Sequence, residues 1–415
     1  MQKTTISLRL GVICMAAASV GFSMAIFSIF KLLLVICGRI VLLFTRRSSG
    51  FANRLSGFWT PYAVLVAVFA FSVSLLWTVA PPADALGSLA KYGKLITILL
   101  MLGLIRSRRE AQLALASFVL AQAFLLASSW MFYFHLPGPW ATSNMALPEF
   151  AVFSSYLDQG IMGAVLAAVC WYLPSLAPGR FGKPVVVVIA AAAIANVLFV
   201  LSGRSGHVVA IALLSLAIMW ELPRRLRLVA LTVPFFLVLI LFLSSTKVRE
   251  RLMMVETEVT SYSTQMHPTT SSGIQLGFWR SAVQIIAENP AGGAGIGDWN
   301  TEYNRLQRRQ NPAHVDIAGN GNPDQEYLLW RVQLGIPGIA LFCALLLVAL
   351  RDSLKMEQRD ARAFQSVVLV LALACAFNAS IYDALIGEFF CVLAGLLLAL
   401  GAAGSASPHL DRVSA

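Results

Sequence analysis

Long apolar runs alternate with short polar connectors along this chain, and the alternation is broken once by a long polar segment. A helix of roughly 20 apolar residues crosses the hydrocarbon core of a bilayer. Runs of that kind fall near 8–25, 27–45, 57–79, 88–105, 111–134, 152–174, 184–201, 206–220, 227–245, 325–350, 364–380 and 383–403. They predict about twelve transmembrane helices, because backbone groups in hydrocarbon must pair within their own segment. The fold class expected is therefore an all-α polytopic membrane bundle. Helices up to residue 245 form one block, 246–324 is a polar insert carrying amphipathic helices, and 325–415 holds the remaining helices and a tail.

The connectors alternate in charge. Arg46, Arg47 and Arg54 fall on one side with Arg106, Arg108, Arg109, Arg180, Lys183, Arg224, Arg225 and Arg227, and Arg351, Lys355, Arg359 and Arg362 complete that face. The other side carries Asp84, Glu149, Asp158 and Asp383. Cations collect on the cytoplasmic side of membrane proteins, so both termini are expected in the cytoplasm and the insert outside it. Arg204, in the turn Leu201-Ser-Gly-Arg-Ser-Gly-His207, breaks the pattern as a cation in a short outer connector. It is either an interfacial arginine snorkelling to headgroups or an anion contact at the outer mouth.

Composition narrows the class further. With 58% hydrophobic and 12% charged residues over 415 positions, a soluble globular protein is excluded. The net charge of +11 follows from topology and implies no nucleic-acid partner. The six cysteines all lie in apolar runs, as packing residues rather than a disulfide or metal framework. The first apolar run lacks a small-residue cleavage site and is expected to be retained.

Within the insert, 247–258 is charged and amphipathic, a Ser/Thr-rich loop follows, and 273–289 reads as a helix. Ile274, Phe278, Ala282, Ile285 and Ile286 recur there at helical spacing before Asn289-Pro290 stops it. The run Gly292-Gly-Ala-Gly-Ile-Gly297 is either a tight turn or a backbone cradle for an anion. No strand precedes it, so it is not a dinucleotide fingerprint. Trp299, Tyr303, Arg305, Arg308 and Arg309 then form either a solvated helix face or a surface for acidic headgroups. The insert ends at Asn322-Pro-Asp-Gln-Glu-Tyr-Leu328. Here Asp324, Gln325, Glu326 and Arg331 begin the next span, and Asp324 is either a helix cap or a functional acid.

Several of these segments resemble the bacterial O-antigen ligase family. They are Trp279-Arg-Ser-Ala-Val-Gln-Ile-Ile-Ala-Glu-Asn-Pro290, Gly295-Ile-Gly297, Asn322-Pro-Asp-Gln-Glu-Tyr-Leu328, Leu334-Gly-Ile-Pro-Gly338, the Ser202-Gly-Arg204 turn and Asn378-Ala-Ser-Ile-Tyr-Asp383. The superfamily also holds O-antigen polymerases and protein O-oligosaccharyltransferases. The resemblance implies a membrane glycosyltransferase (GT-C-like) bundle with a large periplasmic insert. It further implies metal-independent, inverting transfer of a glycan from undecaprenyl pyrophosphate to lipid A–core oligosaccharide, at the periplasmic face of the bacterial inner membrane and in lipopolysaccharide biosynthesis. No cofactor is implied. This chain departs from the family at two positions. Asp324 stands where a histidine is usual, and Gln275 stands roughly where an arginine is common, so the protein either substitutes other groups or is an altered or inactive form.

Such a transfer needs an oriented, partly deprotonated acceptor hydroxyl and stabilisation of the leaving pyrophosphate. Asp324 and His314 are the catalytic candidates, the histidine as a displaced imidazole or an ordinary loop residue. Arg204, Arg280, Gln275 and Lys91 are candidates for the donor pyrophosphate, with Lys94 a weaker one, since guanidinium forks match phosphate oxygens. Gln325, Tyr327 and Arg331 are expected to support them, and no metal-ligand spacing is present. A transporter or flippase for an amphiphile is the rival from another class. It is disfavoured because no inverted repeat is visible and the ionisable groups cluster at one face.

Overall fold

A computed structural model describes residues 2–44, 48–141, 149–177, 179–226, 232–244, 271–312 and 321–405. Among the described residues the regular structure is entirely helical, as the apolar runs require. His314, the 247–258 stretch, Arg46, Arg47 and Arg227 lie outside the described residues.

A helix stands at every expected span. α1 (Gln2–Ser19) and α2 (Met24–Phe44) come first, then α3 (Ser48–Ser56) and α4 (Thr60–Val73), followed by α5 (Pro82–Tyr92) and α6 (Ile96–Leu104). After them come α7 (Arg108–Tyr133), α8 (Tyr156–Tyr172), α9 (Gly182–Ala195), α10 (Arg204–Glu221) and α11 (Val233–Ser244). The insert contributes α12 (Ser271–Glu288) and α13 (Trp299–Gln310), and α14 (Glu326–Ser353), α15 (Gln358–Phe377) and α16 (Ala384–Ser405) close the chain. Eight helices are long and apolar enough to cross a membrane, and a ninth if the pair around residues 50–76, bent by 89°, is one span. The apolar part of α1, α8 and α11 fall short of that length. A helix thus lies at each expected position, while eight or nine, rather than about twelve, are long and apolar enough to span.

Local sequence explains the boundaries. Ser107 and Ser155 cap α7 and α8, each hydroxyl accepting the amide of the residue three positions on, Glu110 and Asp158. Pro81-Pro82 ends one connector and opens α5. α8 and α10 cross at Gly160 and Gly206, where a Cβ on Gly206 would lie 2.9 Å from the Gly160 Cα. Small residues at such a crossing let two backbones touch.

The Leu334-Gly-Ile-Pro-Gly338 segment breaks α14. Gly335 adopts φ 66°, ψ −145°, and Pro337 has no N–H for the Gln333 carbonyl. Backbone groups freed in an apolar interior must find partners. The Gly-rich run supplies them: Ala294 N–H donates to the Val332 carbonyl at 2.9 Å and Gly295 N–H to that of Gln333 at 3.0 Å, while Ile336 N–H donates to Pro290 O at 3.2 Å. The run is also tied to the start of the 78–81 connector, by Thr78 Oγ1 donating to Ile296 O at 2.7 Å and Val79 N–H to Ala294 O at 3.2 Å. The amides of Gly293, Ala294 and Gly295 are occupied by the carbonyls of Asn289, Val332 and Gln333, which favours the tight-turn reading of the run.

α12 and α13 pack on each other and on α14, burying Phe278, Ala282, Ile285, Trp299 and Leu306. Behind α14 an aromatic stack joins three helices. Phe71 stacks on Tyr92 with centroids 3.8 Å apart, and Trp330 meets Phe71 edge-on at 4.7 Å.

Candidate active site

At one end of the bundle the segments singled out by sequence meet. The turn before α10 lies on the start of α8, since a Cβ on Gly203 would sit 3.1 Å from Tyr156 O. Asn378, at the end of α15, donates from Nδ2 to Ser205 Oγ at 3.4 Å. Gln275 of α12 reaches across with its amide, donating to Phe377 O at 2.6 Å and to Asp324 O at 3.4 Å. Tyr382 closes the ring: its hydroxyl lies 2.9 Å from Ser88 Oγ, and Lys91 Nζ stands 3.9 Å from its ring centroid. Lys94 donates from below to the carbonyls of Tyr382 at 3.2 Å and Asp383 at 2.5 Å.

Asp383 lies within electrostatic reach of two further aspartates in this ring, Asp158 and Asp324. Asp158 is at the start of α8, Asp324 precedes α14, and Asp383 sits in the connector just before α16. Burial, then repulsion from Asp158 and Asp324, pushes the Asp383 carboxyl up to about 6, against the pull of Lys94 and Lys91. Burial also raises Asp324. Carboxyls tuned toward neutrality beside cations suit proton transfer. Among the described residues no three His, Cys, Asp or Glu side chains have metal-holding geometry.

Asp324 is not the cap of α14. Gln325 caps it, with Oε1 accepting the Leu328 amide at 2.5 Å. Asp324 lies one residue earlier with φ 52°, a left-handed conformation that a non-glycine residue rarely adopts. Asn322 Oδ1 accepts its amide at 2.7 Å, so the turn itself holds that conformation, and no hydrogen bond to the carboxylate is formed among the described residues.

The other sequence-expected residues divide. Lys91 and Arg204 are in the ring, Arg204 half-buried as the first residue of α10. Gln275 is in the ring too, but its amide protons serve two carbonyls. Tyr327 points into the α14–α15 contact, donating to Ala372 O at 3.0 Å. Arg331 lies one turn beyond Tyr327 on the same helix face, half-buried. Arg280 is exposed on α12, about 140° around the helix from Gln275, and does not join the ring.

Asp383 and Asp158 were missed as site residues. The sequence placed both on the outer side, and Asp383 within a family-like segment, but their approach to Asp324 depends on packing between distant helices.

Residues 189–343 match the family model described as O-antigen ligase. That stretch belongs to the O-antigen ligase family. It runs from α9 to the middle of α14 and so contains Arg204, Gln275, the Gly-rich run, Asp324 and the α14 break. The matched stretch therefore supplies part of the ring, while Lys91, Asp158 and Asp383 come from segments outside the match. No curated protein matches the chain at a significant level.

Proposed function

We propose that this chain is an O-antigen ligase that transfers a glycan from undecaprenyl pyrophosphate to lipid A–core oligosaccharide at the periplasmic face of the inner membrane. The observation carrying this reading is the meeting of the domain's Asp324 turn and Arg204 with Asp383 and Lys91 at one end of a membrane bundle. The acceptor hydroxyl is held by the Asp324–Asp383 pair, and the ionised member takes its proton. The acceptor oxygen bonds to the sugar's anomeric carbon from the side opposite the leaving group. The bond from that carbon to the pyrophosphate oxygen breaks, and undecaprenyl pyrophosphate leaves as the anion. Arg204 offers it a planar, permanently charged fork and Lys91 a point charge. The reaction needs no group beyond these side chains and the two lipids.

Purified protein incubated with undecaprenyl-pyrophosphate glycan and lipid A–core tests the reading: a joined product is expected. Lengthened donor glycan without acceptor consumption would replace it with a polymerase, and glycan on an added acceptor protein with a protein O-oligosaccharyltransferase. Movement of lipid across the bilayer with no new bond would make the chain a transporter.

A further inference from the structure

Lys94 is a buried cation that the transfer step leaves unused. It lies where α5 gives way to α6, 3% exposed where Lys91 is open to solvent, and so is not placed to meet a donor phosphate. Its Nζ instead donates to the consecutive carbonyls of Tyr382 and Asp383, at 3.2 and 2.5 Å. The side chain reaches them across Gly387 of α16, where a Cβ would lie 2.8 Å from Nζ. An ammonium buried in a membrane bundle has to be balanced by negative charge. Glu388, Glu326 and Asp383 all act on it electrostatically, Glu388 the most strongly of the three.

Glu388 is itself buried, five residues after Asp383. Its Oε1 accepts Lys31 Nζ at 2.5 Å and its Oε2 the Thr97 hydroxyl at 3.4 Å. Lys31 comes from α2, a span with one other charged residue, Arg39. Charges are costly at such depth and mark function where they occur. Lys31, Glu388, Lys94 and Asp383 thus alternate in sign from α2 to the carboxylate ring.

We propose, on the reading of Asp383 as an acid–base group in transfer, that Lys94 is its positioning residue. The ammonium fixes the peptide that carries the carboxyl and sets the charge beside it, and the Lys31–Glu388 pair is the counter-charge that holds Lys94 there. The charged groups acting on Asp383 are Asp158 of α8, Asp324 before α14, and Lys91 and Lys94 of the α5–α6 stretch. The aspartates push its carboxyl up and the lysines draw it down, so loss of Lys94 raises it further. Neutralising Glu388 leaves the positive charge of Lys94 less compensated and works the other way.

Full-length parent, Lys94→Met, Lys94→Arg and Glu388→Gln are compared in transfer kinetics across pH. Lys94→Met should lower kcat about tenfold or more with donor KM within about twofold, and move the acidic limb of the pH–rate profile up by about one pH unit. Lys94→Arg keeps the charge and should leave the limb in place, while Glu388→Gln should move it down. A lesion of packing alone does not displace the limb in opposite directions. Raised donor KM with parental kcat in Lys94→Met would make Lys94 a pyrophosphate ligand, and an unmoved limb would make it a packing residue; either overturns the proposal. A second measurement needs no transfer: the melting temperature gained on adding Asp383→Asn, followed against pH in each background. That gain should level off at higher pH in Lys94→Met, and at lower pH in Glu388→Gln, than in the parent. Both shifts in a protein that transfers nothing would uphold the control of Asp383 by Lys94 while the ligase reading falls, and the parental pH in both overturns the proposal. Glu388→Gln keeps the test decisive should Lys94→Met fail to fold.

Discussion

The Glu326 carboxylate holds the backbone of Tyr382: Oε2 accepts the Tyr382 amide at 3.0 Å and the Ile381 amide at 2.9 Å, while Oε1 accepts the Trp330 indole N–H at 2.8 Å. Glu326 is fully buried and lies two residues after Asp324, and Tyr382 immediately precedes Asp383. One side chain thus ties together the two backbone segments that carry Asp324 and Asp383.

Glu326→Gln keeps the shape but replaces one of the two acceptor oxygens by a donor, which must face either the two amides or the Trp330 indole N–H. It should lower the melting temperature and reduce kcat by about tenfold or more while KM for the donor changes little, because positioning rather than donor binding is lost. Steady-state kinetics and thermal unfolding check this, and parental kcat in the glutamine variant would reduce Glu326 to a packing residue.

Asp383 supplies the pH dependence. With its carboxyl raised to about 6, a base at this position makes transfer rise with pH through that region. Asp324→Asn removes a neighbouring negative charge, so the acidic limb of the pH–rate profile should move to lower pH. Asp383→Asn should lose roughly 10²–10⁴-fold in rate. Its effect on stability has the opposite sign. A carboxyl raised on folding contributes stability below its unfolded pKa of about 3.9, and that contribution is lost as pH rises through about 6. Asp383→Asn should therefore melt higher than the parent at pH 7 despite being less active. Parental activity in Asp383→Asn together with an inactive His314→Ala would move the base to the imidazole.

The helices were legible because hydrocarbon leaves a chain few options: apolar runs set every span, and Asn289-Pro290 set the end of α12. The break in α14 was visible as Leu334-Gly-Ile-Pro-Gly338, but its use was not, since the Gly-rich loop that fills it lies some forty residues earlier and pairs through backbone atoms that carry no sequence signal. The cap of α14 was ambiguous for a related reason. Asp324 and Gln325 can each accept an amide, and only the left-handed backbone at Asp324 gives the role to Gln325. The ring of three aspartates was out of reach, because α8, α14 and the connector before α16 meet through tertiary packing.

The Gly-rich loop gives a stability prediction with no catalytic component. Gly295 has φ of +100°, and a Cβ there would lie 2.3 Å from the Thr78 Cα. Gly295→Ala should lower stability by more than the roughly 1–3 kcal/mol of backbone strain alone, visible as a large fall in melting temperature. Gly292→Ala, where a Cβ meets nothing within 4 Å, is the matched control. Equal melting of the two variants would show that the loop is not wedged against the 78–81 connector.

Orientation is tested by labelling. The positive-inside rule places the insert in the periplasm and both termini in the cytoplasm. Cysteines introduced at Ser271 and Ser407 should therefore react differently with an impermeant thiol reagent added to spheroplasts, the first labelled and the second not. The reverse pattern would put the carboxylate ring on the cytoplasmic side and separate it from any periplasmic acceptor.

Arg204 carries the last prediction. It opens α10, half-buried, in the turn that lies on the start of α8, which puts the residue at the end of the bundle where the aspartates lie. A leaving pyrophosphate beside three carboxyls needs compensating charge, and a helix N-terminus adds a partial positive charge of its own. Arg204→Ala should abolish transfer while the melting temperature stays near the parent's. Arg204→Lys should restore only a small fraction of the rate, because a point charge replaces a bidentate fork. The loss should fall mainly on kcat, since the charge on the bridging oxygen develops as the glycosidic bond breaks. A variant Arg204→Ala with parental kcat would leave the residue as an anchor to lipid headgroups and pass the pyrophosphate to Lys91.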